Sequence, residues 1–308
     1  RCFLLVAIGY QYFKSRGLED ETIRKYGLGW APVSRNALSD AARAAGYKEE
    51  FLVETGLSIK YDDGRLVDRF FDRVIFPIHS VSGRVIAFGG RTLKTDKSVA
   101  KYVNSPETEI YVKSRSLYGI WFAKNEMSRQ DKCILVEGYL DVLSMHQLGI
   151  TNVVASSGTS LTVEQIRLIR KFTSNVTIIY DGDGAGIKAA LRGIGLVLKE
   201  GLNVKVVLLP EGQDPDDFAR RHTLEEVQDH IARNEQDFMN LTEVYLDAVF
   251  APAIRTNPNI FYQEGWHVEM ENAAATPTYK GVVFNEMKGA MSSVDEVIME
   301  GMLAAAYP

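Results

Sequence analysis

Three short acidic stretches carry the chemistry this sequence can offer. Val136-Glu137-Gly138-Tyr139 sets a carboxylate at the end of an apolar run, beside a glycine that leaves room for a ligand to approach the backbone. Ile178-Ile179-Tyr180-Asp181-Gly182-Asp183-Gly184-Ala185-Gly186 delivers two carboxylates, two residues apart, into a glycine-rich turn. Acids so close repel unless a cation is present, so Asp181 and Asp183 favour a hard divalent ion with oxygen ligands, Mg²⁺ or Mn²⁺. Asp214-Pro215-Asp216-Asp217 is the third stretch, in which Pro215 favours extended backbone at Asp214 and restricts where that carboxylate points. Each stretch alone has a plainer reading: a Glu-Gly turn, a glycine turn whose aspartates cap a helix, a capped helix start. The signal is that all three follow predicted strands of one sheet, so that their loops converge on one edge.

The elements that must position these acids are legible from Lys132 onward, where short β-rich runs alternate with helical ones. The pattern predicts strands at Cys133–Val136, Asn152–Ala155, Val176–Tyr180 and Val204–Leu209. Helices are predicted at Tyr139–Leu148, Val163–Lys171 and Gly184–Glu200, with a polar helix from about Leu224 to Asn234. Continuous apolar strands alternating with helices indicate a buried parallel sheet, whose sites lie beyond the strands' carboxyl ends. Upstream, a helical pattern over Tyr10–Gly29 breaks at Gly17, a second helix spans about Asn36–Ala45, and Arg73–His79 pairs with Arg84–Phe88 as a hairpin that Gly89-Gly90 ends.

The 308-residue chain, 46% hydrophobic, is long enough for two or three cores. Its formal charge of −5 does not mark the whole molecule as a polyanion binder, yet between Arg65 and Lys132 there are 13 Lys and Arg against 7 Asp and Glu, a local +6. Within that segment Arg91, Lys101-Tyr102-Val103-Asn104 and Lys113 combine cations with an aromatic side chain, as phosphate-tracking surfaces do and as solvated faces also do. Cys2 and Cys133 have no partners at ligand spacing, which supports neither a disulfide framework nor a cysteine zinc site and suits a reducing cytoplasm. The apolar start is too short to span a membrane, and a first residue of Arg1 is expected of a fragment.

Taken together, Glu137-Gly138-Tyr139-Leu140-Asp141-Val142, Ala155-Ser156-Ser157-Gly158-Thr159, Asp181-Gly182-Asp183 and Asp214-Pro215-Asp216 resemble the topoisomerase-primase fold of bacterial replicative DNA primases. The upstream lobe resembles the same family, including Tyr12–Leu18 and Tyr26–Gly29, and the likeness covers residues 7–237. It implies template-directed synthesis of RNA primers on single-stranded DNA from ribonucleoside triphosphates, a nucleotidyltransferase activity that a fragment would perform weakly. Glu137, Asp181 and Asp183 are then catalytic, and these three with Asp214 and Asp216 hold Mg²⁺ or Mn²⁺, with Asp141 in support. Arg91, Lys101, Asn104 and Lys113 match positions that contact template or nucleotide, although Ala100 stands where the family usually has proline before the lysine. The resemblance further implies a replicative helicase as partner of the full-length protein; neither its docking domain nor a zinc-binding module is recognised here, and no zinc is expected. The same acidic fold also serves nuclease and topoisomerase chemistry, and a truncated module could bind nucleic acid without synthesis.

From Phe238 the texture changes. Asn240–Phe250, Phe261–His267 and Tyr279–Gly289 resemble an internal piece of presequence-protease-like zinc peptidases, with Glu286 at the distal zinc-ligand position. The His-x-x-Glu-His element such enzymes require is absent from the sequence, so no zinc proteolysis is expected. The fold expectation is therefore α/β overall. It comprises a mixed α+β amino-terminal basic lobe over residues 1–130, a topoisomerase-primase domain over 131–237 with a central, mainly parallel sheet flanked by helices, and a foreign-looking, mainly helical tail over 238–308.

Overall fold

The protein was analysed as a computed structural model that describes residues 7–96, 98–157, 161–180, 193–210, 212–237, 267–269 and 278–280. The first lobe opens with α1 (Ala7–Ser15) and α2 (Asp20–Tyr26), separated as the sequence predicts at Gly17, whose φ of 74° is a left-handed turn that suits glycine. β1 (Gly29–Ala31) follows, then α3 (Ala37–Ala44), α4 (Glu49–Glu54) and the small ladder of β2 (Ser58–Lys60) with β3 (Leu66–Asp68). The start of α3 is capped from a distance. The buried Asp68 carboxylate accepts the Leu38 and Ser39 amides at 2.6 and 3.0 Å, while Asn36, at the cap position itself, makes no such bond.

The hairpin forms as β4 (Arg73–His79) and β5 (Val85–Thr92), and with β1 and β6 (Tyr102–Asn104) makes an antiparallel sheet of order β1-β4-β5-β6. Its second strand corrects the sequence expectation, because Gly89 and Gly90 lie inside β5 and do not end it. The reason is packing. A Cβ at Gly89 would stand 2.6 Å from the Tyr139 ring, and one at Gly90 would stand 2.8 Å from the Phe70 ring. Glycine here admits neighbouring aromatics against the strand backbone.

The second sheet contains β7 (Cys133–Val136), β8 (Val153–Ala155), β9 (Asn175–Tyr180), β10 (Asn203–Leu208) and β11 (Gln236–Asp237), in the order β11-β10-β9-β7-β8. Pairing is parallel except at the β11 edge. Period-2 alternation divides the strands between two cores. Ile134, Val136, Ile179 and Val207 face α6 (Tyr139–Leu148), α8 (Pro215–Arg221), α9 (Leu224–Asn234) and the first lobe, sharing a core with Phe13, Tyr26, Trp30 and Phe76. Cys133, Leu135, Val176, Ile178, Val204 and Val206 face α5 (Ile120–Gln130), α7 (Val163–Arg170) and the helical residues 193–199. α5 has no counterpart among the predicted elements. Although it precedes residue 131, it buries Ile120, Ala123 and Met127 against the second sheet, and Tyr118 just before it pairs with Ala155 as an extra bridge.

Residues 1–238 form one compact unit and 239–308 another. In the second unit the described residues form an antiparallel pair, β12 (His267–Glu269) with β13 (Thr278–Lys280). The helices expected of the tail, and Glu286, lie outside the described residues.

Candidate metal and nucleic-acid site

The acid-bearing strands end together at one edge of the second sheet. Val136 is level with Ala155 across the β7/β8 ladder, and Tyr180 is level with Leu208 across β9/β10. The chain runs from β7 outward to β8, then crosses back over β7 to β9, so the strand order reverses between β7 and β9. α6 leaves β7 onto one face and residues 193–199, before β10, cover the other, the switch-point arrangement beside which open α/β sheets bind ligands. Glu137 follows β7 directly and is half-buried at that edge. Asp181 and Asp183 lie outside the described residues, as do Gly158 and Thr159 of the β8 turn; β9, the strand preceding the two aspartates, ends beside β7.

Asp141 ties two of the acidic loops together. Its carboxylate accepts the Gly138 amide at 2.8 Å, closing the first turn of α6, and the Asp216 amide at 3.2 Å, at the start of α8. Asp214 caps α8 by accepting the Asp217 amide at 2.7 Å, with Pro215 at the first helical position. The carboxylates of Asp214, Asp216 and Asp217 approach within 4.8 Å of one another, an all-oxygen group of the kind that hard divalent ions prefer. Asp216 differs from the other two in being 1% exposed, paired with Arg16 just after α1 and with Arg220 at 3.2 Å, and accepting the Ser144 hydroxyl at 2.5 Å. Such a buried carboxylate is stable only because guanidinium charge and hydrogen bonds replace its water.

The cations that the sequence singled out separate in space. Arg91 and Lys101 line one cleft of about 900 Å³ between α1 and β5, with Gln11, Tyr12 and Lys94 also on its wall. Arg91 donates to the Tyr12 hydroxyl, and its guanidinium lies 5.0 Å from the Tyr12 ring centre and 5.7 Å from that of Tyr102. Burial pushes the Tyr12 hydroxyl up to about 12, so it stays protonated and neutral beside Arg91. Asn104 instead faces the acidic edge. Its side-chain oxygen accepts from the Tyr139 hydroxyl at 2.8 Å and its NH₂ donates to the Ser157 carbonyl at 3.3 Å. Lys113 stands elsewhere, on a single 3₁₀ turn whose carbonyl accepts from Gln165 of α7 at 3.4 Å.

Sequence reasoning passed over Arg16, Ser144, Tyr102 and Tyr139 as individual site residues. Arg16 meets a partner 200 positions away, a distance at which no spacing rule operates. Tyr139 gave only its place in the Glu-Gly-Tyr string. Its role becomes visible in the fold, where its ring stacks on Phe76 at 5.0 Å and 10° and meets Tyr118 edge-on at 4.7 Å.

Comparison with known proteins places both lobes. Residues 7–124 match the family described as the DNA primase catalytic core, N-terminal domain, and residues 134–219 match a Toprim-like family. A DNA primase of Clostridium acetobutylicum is 45% identical over 213 residues, which are 69% of this chain and 35% of that protein. The chain thus spans between about a third and a half of the length of the curated relatives it matches. Among solved structures, the RNA polymerase domain of Mycobacterium tuberculosis primase superposes with a TM-score of 0.72 at 33% identity, covering 82% of this chain and 84% of that one. A primase catalytic domain bound to single-stranded DNA superposes at 0.68 with 36% identity, covering 77% of this chain and 74% of its own.

Proposed function

The chain belongs to the bacterial DNA primase catalytic-core family, its amino-terminal domain followed by the Toprim domain, and from that membership we propose that it synthesises RNA primers on single-stranded DNA from ribonucleoside triphosphates. The observation that carries this reading is the joining of the Glu137 and Asp214-Pro215-Asp216 loops by Asp141 at the switch point of the sheet. In primer synthesis a 3′-hydroxyl attacks an α-phosphate, and the protein's part is to position the reactants and compensate charge. Glu137 takes the role of acid or base and metal-associated carboxylate, with Asp181 and Asp183 beside it. Bound Mg²⁺ or Mn²⁺ would activate the attacking oxygen and stabilise the departing pyrophosphate. Asp214 is half-buried, whereas the buried Asp216 can join such a site only by loosening its bonds to Arg16, Arg220 and Ser144. Arg91 and Lys101 line a cleft suited to a phosphate backbone, and Lys113 adds charge on a separate turn. A cytoplasmic setting and a replicative helicase as partner of the full-length protein follow from the same membership.

The test is primer formation on single-stranded template with the four ribonucleotides and Mg²⁺ or Mn²⁺. Glu137→Gln and Asp181→Asn are each expected to lower synthesis at least ~100-fold with folding retained, in line with loss of a transition-state contact. DNA binding without any synthesis at high protein concentration would overturn the assignment in favour of a binding module. For residues 238–308 the proposed reading is the peptidase-like fragment, without proteolysis, resting on the wording of its motifs. Sequencing the locus across Asp237 decides whether one gene encodes both parts.

A further inference from the structure

The first lobe meets the acidic edge through a short circuit of hydrogen bonds that the proposed chemistry has not used. Tyr139 donates its hydroxyl to Asn104 at 2.8 Å, Asn104 donates to the Ser157 carbonyl at 3.3 Å, and the Ser157 amide donates to the Glu137 carbonyl at 3.1 Å. The circuit thus leaves the residue after Gly138, crosses to β6, returns through the β8 loop and closes on the peptide of Glu137. Each link is constrained. Tyr139 is 4% exposed and fixed between Phe76, Tyr118 and the bare backbone of Gly89. Ser157 holds a left-handed φ of 58°, which a non-glycine residue adopts when its surroundings hold it there. Both polar groups of the Asn104 amide are already engaged, its oxygen by Tyr139 and its nitrogen by Ser157.

We propose that Asn104 and Tyr139 are positioning residues that set the register of the basic strand against the acidic edge, Asn104 acting through Glu137. β6 begins at Tyr102, next to Lys101 and packed over Arg91, so whatever fixes Asn104 also fixes the cationic end of that strand relative to Glu137. Two lobes of one active site must hold reactants within fractions of an ångström, and small misplacement is enough to slow phosphoryl chemistry severely. Tyr139 supplies the rigid anchor; from β6, Asn104 accepts its hydroxyl and the Tyr102 ring centre lies 6.1 Å from its own.

This inference rests on the primase reading, and a double-mutant cycle tests it. Tyr139→Phe, Asn104→Leu and the double substitution are compared with wild type in primer synthesis at saturating and limiting nucleotide. The expected result is a loss of roughly 10- to 100-fold in kcat for each single variant, the double no worse than the poorer single, and KM for nucleotide within about two-fold of wild type. Additive losses, with a rise in nucleotide KM on Asn104→Leu in both the wild-type and the Tyr139→Phe background, would show direct contact and overturn the proposal. Should wild type make no primers, the primase reading itself fails, and hydrogen exchange then judges the circuit alone. Tyr139→Phe is expected to speed exchange at the Ser157 amide as much as Asn104→Leu does, and unchanged exchange in both would reject the circuit.

Discussion

His146 is buried behind the site with both ring nitrogens engaged, Nε2 lying 2.8 Å from the Val153 carbonyl and Nδ1 bonded to the Tyr26 hydroxyl. A carbonyl only accepts, so Nε2 carries the hydrogen and Nδ1 receives the tyrosine's. Burial, with Lys25 acting in the same direction, holds the imidazole's pKa down to about 4, whereas the unfolded chain protonates near ~6.5. Below that value the unfolded state binds the extra proton, so this contribution to stability is complete above about pH 6.5 and lost as pH falls toward 4. At 1.36 kcal/mol per pH unit, the protein should be roughly 2 kcal/mol less stable at pH 5 than at pH 7 on account of this one residue. Urea unfolding at the two pH values, with His146→Gln alongside, measures it; an equal acid loss in the variant would refute the assignment. At this scale Glu137 and Asp214 could be singled out from sequence, because a carboxylate after an apolar strand is a local pattern. The clasp of Asp216 by Arg16, and the tautomer of His146, depend on neighbours far away in the chain.

Elements succeed or fail as predictions according to where their hydrogen bonds and caps come from. α6, α7 and α9 carry their own signals, including capping boxes at Thr162 and Thr223, and were predicted to within a residue or so. α3 is held by Asp68 from another element, and β5 continues through two glycines because Tyr139 and Phe70 require the space. That close contact is testable. Gly89→Ala would place a methyl 2.6 Å from a ring already backed by Phe76, and an overpacking cost of about 1–3 kcal/mol is expected, together with reduced primer synthesis as Tyr139 shifts. Gly195→Ala, where a methyl meets nothing within 4 Å in a helical stretch, should be neutral or mildly stabilising. Equal melting of the two variants would show that Tyr139 has slack and weaken the positioning argument.

For the whole molecule, the buried hydrophobic clusters among the described residues run from Phe13 to Ile231, inside the first compact unit. Deleting residues 239–308 should therefore leave cooperative unfolding of the remainder intact, with a melting temperature changed by less than about 3 °C; a fall of 10 °C or more, or loss of the transition, would mean the tail completes the core. The local positive charge of the Arg65–Lys132 segment was visible as composition, but its distribution was not. Arg73 is buried and donates to the Ala100 carbonyl at 3.0 Å, Lys132 pairs with Glu235, and Arg91 and Lys101 share a cleft that Lys113 does not line. The sequence by itself determined the strand–helix alternation, the parallel sheet and the placing of Glu137 and Asp214 after strands, because these follow from local periodicity and turn chemistry. Only the tertiary structure decided how the acidic edge is assembled: which carboxylate is neutralised by guanidinium, which caps a helix, and that Asn104 is engaged by Tyr139. The physical reason is that charge compensation and hydrogen-bond saturation are settled between groups brought together by packing, and packing sets no rule on how far apart they lie in the chain.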